Sequence, residues 1–238
     1  MKKITANQVS IALQKKTSQK HKEALQRFFK TGPGEYGEGD VFWGIKVPEI
    51  RKITKEFKDL NLTETQKLIK SKYHEERLAG LLLLVLKYKK ANDDLKEKIF
   101  NLYIKSTRYI NNWDLVDLTA HHIVGCHLYQ KDNKLICKFA KSNLLWERRI
   151  AMIAMAYNIS QKDYKHVLKI AKILLHDEHD LIHKAVGWML REVGKRDLET
   201  EEQFLKQHYK TMPRTMLRYA IEKFEEGKRQ RYLKGKIN

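Results

Sequence analysis

Apolar residues in this chain recur mostly with helical spacing. Ala24, Leu25, Phe28 and Phe29 stand at i, i+1, i+4 and i+5, a stripe for one helix face. Leu78-Ala79-Gly80-Leu81-Leu82-Leu83-Leu84-Val85-Leu86 is apolar on every side, which predicts a helix enclosed by others. Nine residues are too few to span a bilayer as a helix. Thr63-Glu64-Thr65-Gln66 matches a capping box ahead of Leu68 and Ile69. Asn143 and Ser160 are positioned to cap the next helices, with Asp163 in the first turn of the second. Strand alternation is scarce. Pro33 and Pro48 flank a loop holding Gly32, Gly34, Gly37, Gly39 and Gly44. That loop separates a first helical hairpin from the rest and reads as punctuation, not as a domain boundary.

A weak internal repeat runs through the helices. Arg77-Leu78-Ala79 and Arg149-Ile150-Ala151 share a pattern and lie 72 positions apart, two steps of 36. His183-Lys184-Ala185 is related, and one step from Arg77 lands on Trp113. A period near 36 suits stacked helix pairs of the HEAT kind, each burying its apolar face on the next. The fold expected is therefore all-α, a curved solenoid of stacked antiparallel helix pairs over residues 1–226. From Gly227 the chain carries Lys228, Arg229, Arg231, Lys234 and Lys236. With little apolar content, 227–238 is expected to be a mobile basic tail that adds affinity for phosphates.

Charge narrows the partners. Lys and Arg total 48 against 29 Asp and Glu, a net +19. Such an excess concentrates polyanions, nucleic acid above all. Cys126 and Cys137 alone give no disulfide framework, and the amino terminus lacks a sustained apolar segment. Both fit a reducing cytosol rather than secretion.

Two literal motifs carry no chemistry. Gly32-Pro33-Gly34-Glu35-Tyr36-Gly37 matches a dinucleotide fingerprint but lacks the strand before it and the helix after it. Glu35, Glu38 and Asp40 would also repel a pyrophosphate. His121, His122, Cys126, His127 and Cys137 lack a zinc spacing, so neither metal nor cofactor is expected.

Aromatic, acidic and basic residues meet in four places: Trp113 with Asp117, Trp146-Glu147-Arg148-Arg149, Lys184 to Glu192 around Trp188, and Arg214 to Arg218. Trp113 and Asp117 are four apart and share one helix face. An indole beside a carboxylate suits a flat cation, and the surrounding charge suits DNA. Trp146 and Trp43 read as core, and Asp114 as a helix-start residue. Asp117 has no obvious structural duty.

The segments Asn112-Trp113-Asp114-Leu115-Val116-Asp117, Trp146-Glu147-Arg148-Arg149 and Lys184-Ala185-Val186-Gly187-Trp188-Met189-Leu190-Arg191-Glu192 resemble the AlkD-type DNA alkylation repair glycosylases. Phe42-Trp43-Gly44-Ile45-Lys46-Val47-Pro48-Glu49-Ile50-Arg51 resembles the same family's first repeat boundary. The resemblance implies a curved stack of HEAT-like repeats around duplex DNA. It also implies excision of N3- and N7-alkylated purines without flipping the base, unlike most base-processing enzymes. By position, Asp117 corresponds to the catalytic aspartate, and Trp113 and Trp188 to the tryptophans contacting the damaged nucleotide. Arg149 corresponds to the DNA-contacting arginine, with Arg148 one residue away as the alternative.

The chemistry so implied is glycosidic hydrolysis through an oxocarbenium-like sugar, with a leaving group already cationic. Ionised Asp117 would stabilise that sugar and orient water. The partner is duplex DNA bearing alkylated purines, met by a monomer without a membrane. Two other classes compete: a non-catalytic HEAT scaffold binding DNA through charge alone, and a solenoid binding an acidic protein.

Overall fold

The structure, a computed structural model, describes residues 4–237. Regular elements among them are helical, and a single parallel bridge joins Val41 to Tyr73. The all-α architecture read from the sequence is the one observed. The described residues fall into two compact units dividing between Ile123 and Val124.

The first unit is built around one buried helix. Its elements are α1 (Ala6–Gln14), α2 (Gln19–Phe28), α3 (Val47–Glu56), α4 (Leu62–Ile69), α5 (His74–Tyr88), α6 (Asp93–Ile104) and α7 (Trp113–Asp117). The apolar run lies in α5, and α1, α3, α4, α6 and α7 all pack on that helix. Leu78 and Leu81 to Val85 are fully enclosed. Each such side chain is worth roughly 2 kcal/mol in apolar burial. Helix starts follow cap chemistry. Asn61, not Thr63, caps α4 by accepting from Glu64 N at 2.9 Å, and Asn92 caps α6 through Leu95 N at 3.0 Å. The difference at α4 arises because asparagine two residues upstream already satisfies the free amide.

The stripe on α2 does not face the core. No residue of that helix is buried, and Phe28 is 62% exposed. Phe29, just past its end, is buried instead. The following glycine-rich loop is pinned rather than loose. Glu75, buried in the first turn of α5, accepts from Trp43 N (3.0 Å), Gly44 N (2.8 Å) and Ile45 N (3.1 Å). Gly44 has φ +86°, and a Cβ there would collide with the carbonyl of Ser18, so only glycine fits.

The second unit comprises α8 (Cys126–Leu128), α9 (Lys134–Ala140), α10 (Leu145–Ser160), α11 (Tyr164–Ile173), α12 (Asp180–Gly194), α13 (Leu198–His208), α14 (Arg214–Ala220) and α15 (Glu226–Leu233). α10 packs on α9, α11 and α12, and α12 packs on α13 and α14. Gly187 permits the last contact, since a Cβ would strike the Met216 carbonyl and Tyr219. Two expected caps move. Leu144 rather than Asn143 precedes α10, and Ser160 ends that helix while Asp163 precedes α11.

The basic segment from Gly227 is helical over much of its length. It forms most of α15, begun by Glu225, which accepts from Gly227 N and Lys228 N. Tyr232 is 1% exposed and packs edge-on against Tyr209, whose hydroxyl donates to the carbonyls of Gly235 and Ile237. One well-placed tyrosine supplies the apolar anchor that overall composition hides.

The repeat has a physical basis and a shifted register. Arg77 Nη1 donates to Ser71 O, and Arg148 Nη1 donates to Ser142 O, each at 3.0 Å and six residues upstream. His183 Nε2 meets Asp177 O at the same spacing. Each ties a helix's first turn to the loop before it. By this criterion Arg148, not Arg149, repeats Arg77.

Candidate active site

α7 is a single turn, and its start is built by side chains. Asn112 Oδ1 accepts from Trp113 N at 2.8 Å. Asp114 is buried, with Oδ1 accepting from Leu115 N at 2.8 Å. Trp113 and Asp117 remain half-buried and both line one cleft of about 430 Å³ in the first unit. Phe28, Phe29, Phe42 and Pro48 are among its apolar lining, and Lys46 adds a cation.

The indole of Trp113 is held in an aromatic cluster. Phe29 stacks on it at 5.0 Å, and exposed Phe28 meets it edge-on at 5.6 Å. Phe29 stacks in turn on Phe42 at 5.1 Å, and Phe42 on His74 at 4.3 Å. Beneath them lies a charged relay that sequence reasoning missed. His74 Nδ1 bonds Asp40 Oδ2 at 2.9 Å and His74 Nε2 bonds Asp114 Oδ2 at 2.8 Å. Arg77 closes the cluster on Asp40. Burial alone would lower the His74 pKa, but the Asp114 and Asp40 carboxylates overcome it and push it up to about 9. Burial likewise opposes ionisation of Asp40, yet His74 and Arg77 hold its carboxyl below the usual range. The available signal was His74-Glu75-Glu76-Arg77, four ionisable residues directly ahead of an apolar helix.

One turn past Asp117, His121 and His122 sit in a π-type turn, with ring centroids 3.8 Å apart. Burial lowers both pKa values, at His121 against a hydrogen bond to the Asp117 backbone, and at His122, with the adjoining His121 ring, Lys89 and Arg51, to about 4. Both rings are neutral near pH 7. Among the described residues no group of three or more His, Cys, Asp or Glu is arranged to hold a metal ion, and Cys126 and Cys137 are free. No described helix is long and apolar enough to cross a membrane.

The other singled-out residues lie in the second unit. Trp188 is half-buried on α12. Trp146 is core, as is Trp43 in the first unit, which stacks on Tyr73 at 4.4 Å. Arg148 is committed locally. Its Nε donates to Asp177 Oδ2 at 2.6 Å, and Nη1 reaches Ser142 O and Asn143 O. Arg149 is 5% exposed and Nη1 donates to Leu181 O at 2.6 Å. Both guanidinium groups brace the segment leading into α12.

Helical repeats, an aromatic cleft with a half-buried carboxylate on its wall, and a net charge of +19 define a class: strongly basic all-α repeat proteins. Within that class, the chain belongs to the DNA alkylation repair enzyme family, whose sequence model matches residues 9–224. Among solved structures it is similar to a predicted DNA alkylation repair enzyme from Enterococcus faecalis. The TM-score is 0.71, over 89% of this chain and 98% of that one, at 16% identity. At that identity the likeness concerns the fold alone. No curated protein matches the chain.

Proposed function

We propose that this family member is a DNA glycosylase that hydrolyses the N-glycosidic bond of cationic N3- and N7-alkylated purines in duplex DNA, without flipping the base. The observation that carries the reading is the cleft shared by Trp113 and Asp117, open to the surface and walled by aromatic rings. A flat cationic base or its sugar is attracted by ring faces. An ionised carboxylate beside it favours the positive charge that grows on the sugar.

The step balances without a cofactor. The C1′–N bond breaks, and its electron pair neutralises the alkylated purine, which leaves. Water adds to C1′ on the sugar, oriented by Asp117, and loses a proton to solvent or to that carboxylate. A second acid is unnecessary because the leaving group is already positive. Trp113 contacts the lesion and Trp188 contacts the DNA, while Arg148 and Arg149, engaged with Asp177 and the Leu181 carbonyl, brace the segment that leads into the helix bearing Trp188. The protein acts on DNA as a monomer in the cytosol.

The test is single-turnover release of free base from duplex DNA carrying 7-methylguanine. Asp117→Asn should lower release at least about 100-fold while duplex affinity stays within about threefold. Equal release by the variant and the parent would remove Asp117 from the chemistry. No release by the parent, with salt-sensitive duplex binding intact, would leave the non-catalytic scaffold.

A further inference from the structure

We propose that His74 is a positioning residue for base excision, an imidazolium that bridges Asp40 and Asp114 and so fixes the short helix bearing Trp113 and Asp117. This rests on the glycosylase reading above. The argument begins with α7 itself. Five residues make one turn, too little to hold a helix by its own hydrogen bonds. Its placement therefore depends on tethers. Asn112 caps the first amide, and Asp114 sends one carboxylate oxygen out of α7 to His74 on α5.

His74 reaches the candidate site by two routes. Through Asp114 it holds the helix three residues from Asp117. Through its ring face it supports the indole: the imidazole stacks on Phe42 and lies 5.2 Å from Phe29, and Phe29 carries Trp113. The ring is 2% exposed, so water replaces neither hydrogen bond.

The protonation state follows from the partners. Both ring nitrogens face carboxylates, which only accept when ionised. Two such bonds need two N–H groups. A neutral ring has one, and would turn a lone pair toward the other carboxylate. The charged groups around the ring are Asp40 and Asp114 directly and Arg77 behind Asp40. Neighbouring Glu75 is engaged with the amides of residues 43–45. Loss of the proton would release one bridge, and a displacement of about 1 Å at a reacting group can cost about 100-fold in rate.

The experiment is the pH profile of single-turnover 7-methylguanine release from duplex DNA between pH 6 and 9.5, corrected for enzyme-free DNA at each pH. The parent should hold its rate to about pH 8.5 and then decline as His74, near 9, loses its proton. Asp114→Asn, which keeps an oxygen acceptor but removes the charge, should move that decline at least one pH unit lower. His74→Gln should lose about 100-fold at pH 7 with duplex affinity within threefold, and should show no alkaline decline. A parent rate level to pH 9.5, or a decline in Asp114→Asn at the parent's pH, would overturn the proposal. If the parent releases no base at any pH, excision itself fails and nitrogen NMR still decides the role of His74. Both ring nitrogens should be protonated at pH 8, and the Trp113 indole resonance should shift as one proton leaves. A neutral ring at pH 8, or an indole indifferent to the titration, would refute it.

Discussion

Phe29 and Trp113 lie face to face, ring centroids 5.0 Å apart with 28° between their planes. The pair joins the buried end of the aromatic cluster to the half-buried indole on the cleft wall. Trp113 is therefore preorganised: an indole already held flat loses little rotamer freedom on binding.

Replacing Phe29 separates these roles. Phe29→Ala should cost about 3 kcal/mol of folding stability, because Phe29 is buried and stacks on Phe42 as well. Phe29→Leu keeps much of the volume and should cost less. Both should red-shift and broaden the Trp113 emission in a background where Trp43, Trp146 and Trp188 are Phe. An unchanged Trp113 spectrum in Phe29→Leu would mean that the stacking does not set the indole.

Glu75 makes a second prediction, about the loop. One carboxylate takes three successive backbone amides, which are charge-assisted bonds in a buried setting. Glu75→Gln replaces an acceptor oxygen by a donor nitrogen and should cost about 2 kcal/mol. Hydrogen exchange at Trp43, Gly44 and Ile45 should accelerate well beyond the global change. Uniform acceleration across the first unit would show that Glu75 holds no more than its share of the core.

The fold was legible because helix burial is periodic. The α5 run and the core positions of Trp43 and Trp146 followed from spacing and neighbours. Trp113 and Asp117 shared a face for the same reason, and both line the cleft. What escaped was long-range polar pairing. Nothing local connects His74 to Asp40, 34 residues away, or to Asp114, 40 away. Arg148 and Arg149 looked alike in sequence, and only the carbonyls they meet distinguish them. Composition also gave no sign of α15, where Tyr232 packs against Tyr209.

If this family member binds duplex DNA as proposed, that helix offers it charge: Arg231 and Lys234 are exposed on α15 and at its end. If α15 touches phosphates, Arg231→Ala with Lys234→Ala should lower the slope of log affinity against log salt by up to about 2. Thermal stability should stay within about 0.5 kcal/mol of the parent. Filter binding of undamaged duplex across a salt series measures it, and an unchanged slope would take α15 out of the interface.

Glu201 gives the pH dependence of the second unit. It is 1% exposed on α13, and its Oε1 has no hydrogen-bond partner. Burial, and then the Glu202 charge, raise its pKa to about 9 against the opposing Arg191. The unfolded chain releases this proton near 4.5, whereas the folded chain keeps it to about 9. Between those values the unfolded state binds fewer protons, so stability falls as pH rises. The loss at pH 7 is at most about 3 kcal/mol, since pH 7 lies 2.5 units above 4.5 and each unit is worth about 1.4 kcal/mol. Glu201→Gln cannot ionise. Its unfolding free energy, measured by urea denaturation at pH 5, 7 and 9, should fall less steeply with pH than the parent's. Parallel curves would mean that Glu201 is ionised in the folded protein, with Arg191 as its counter-ion.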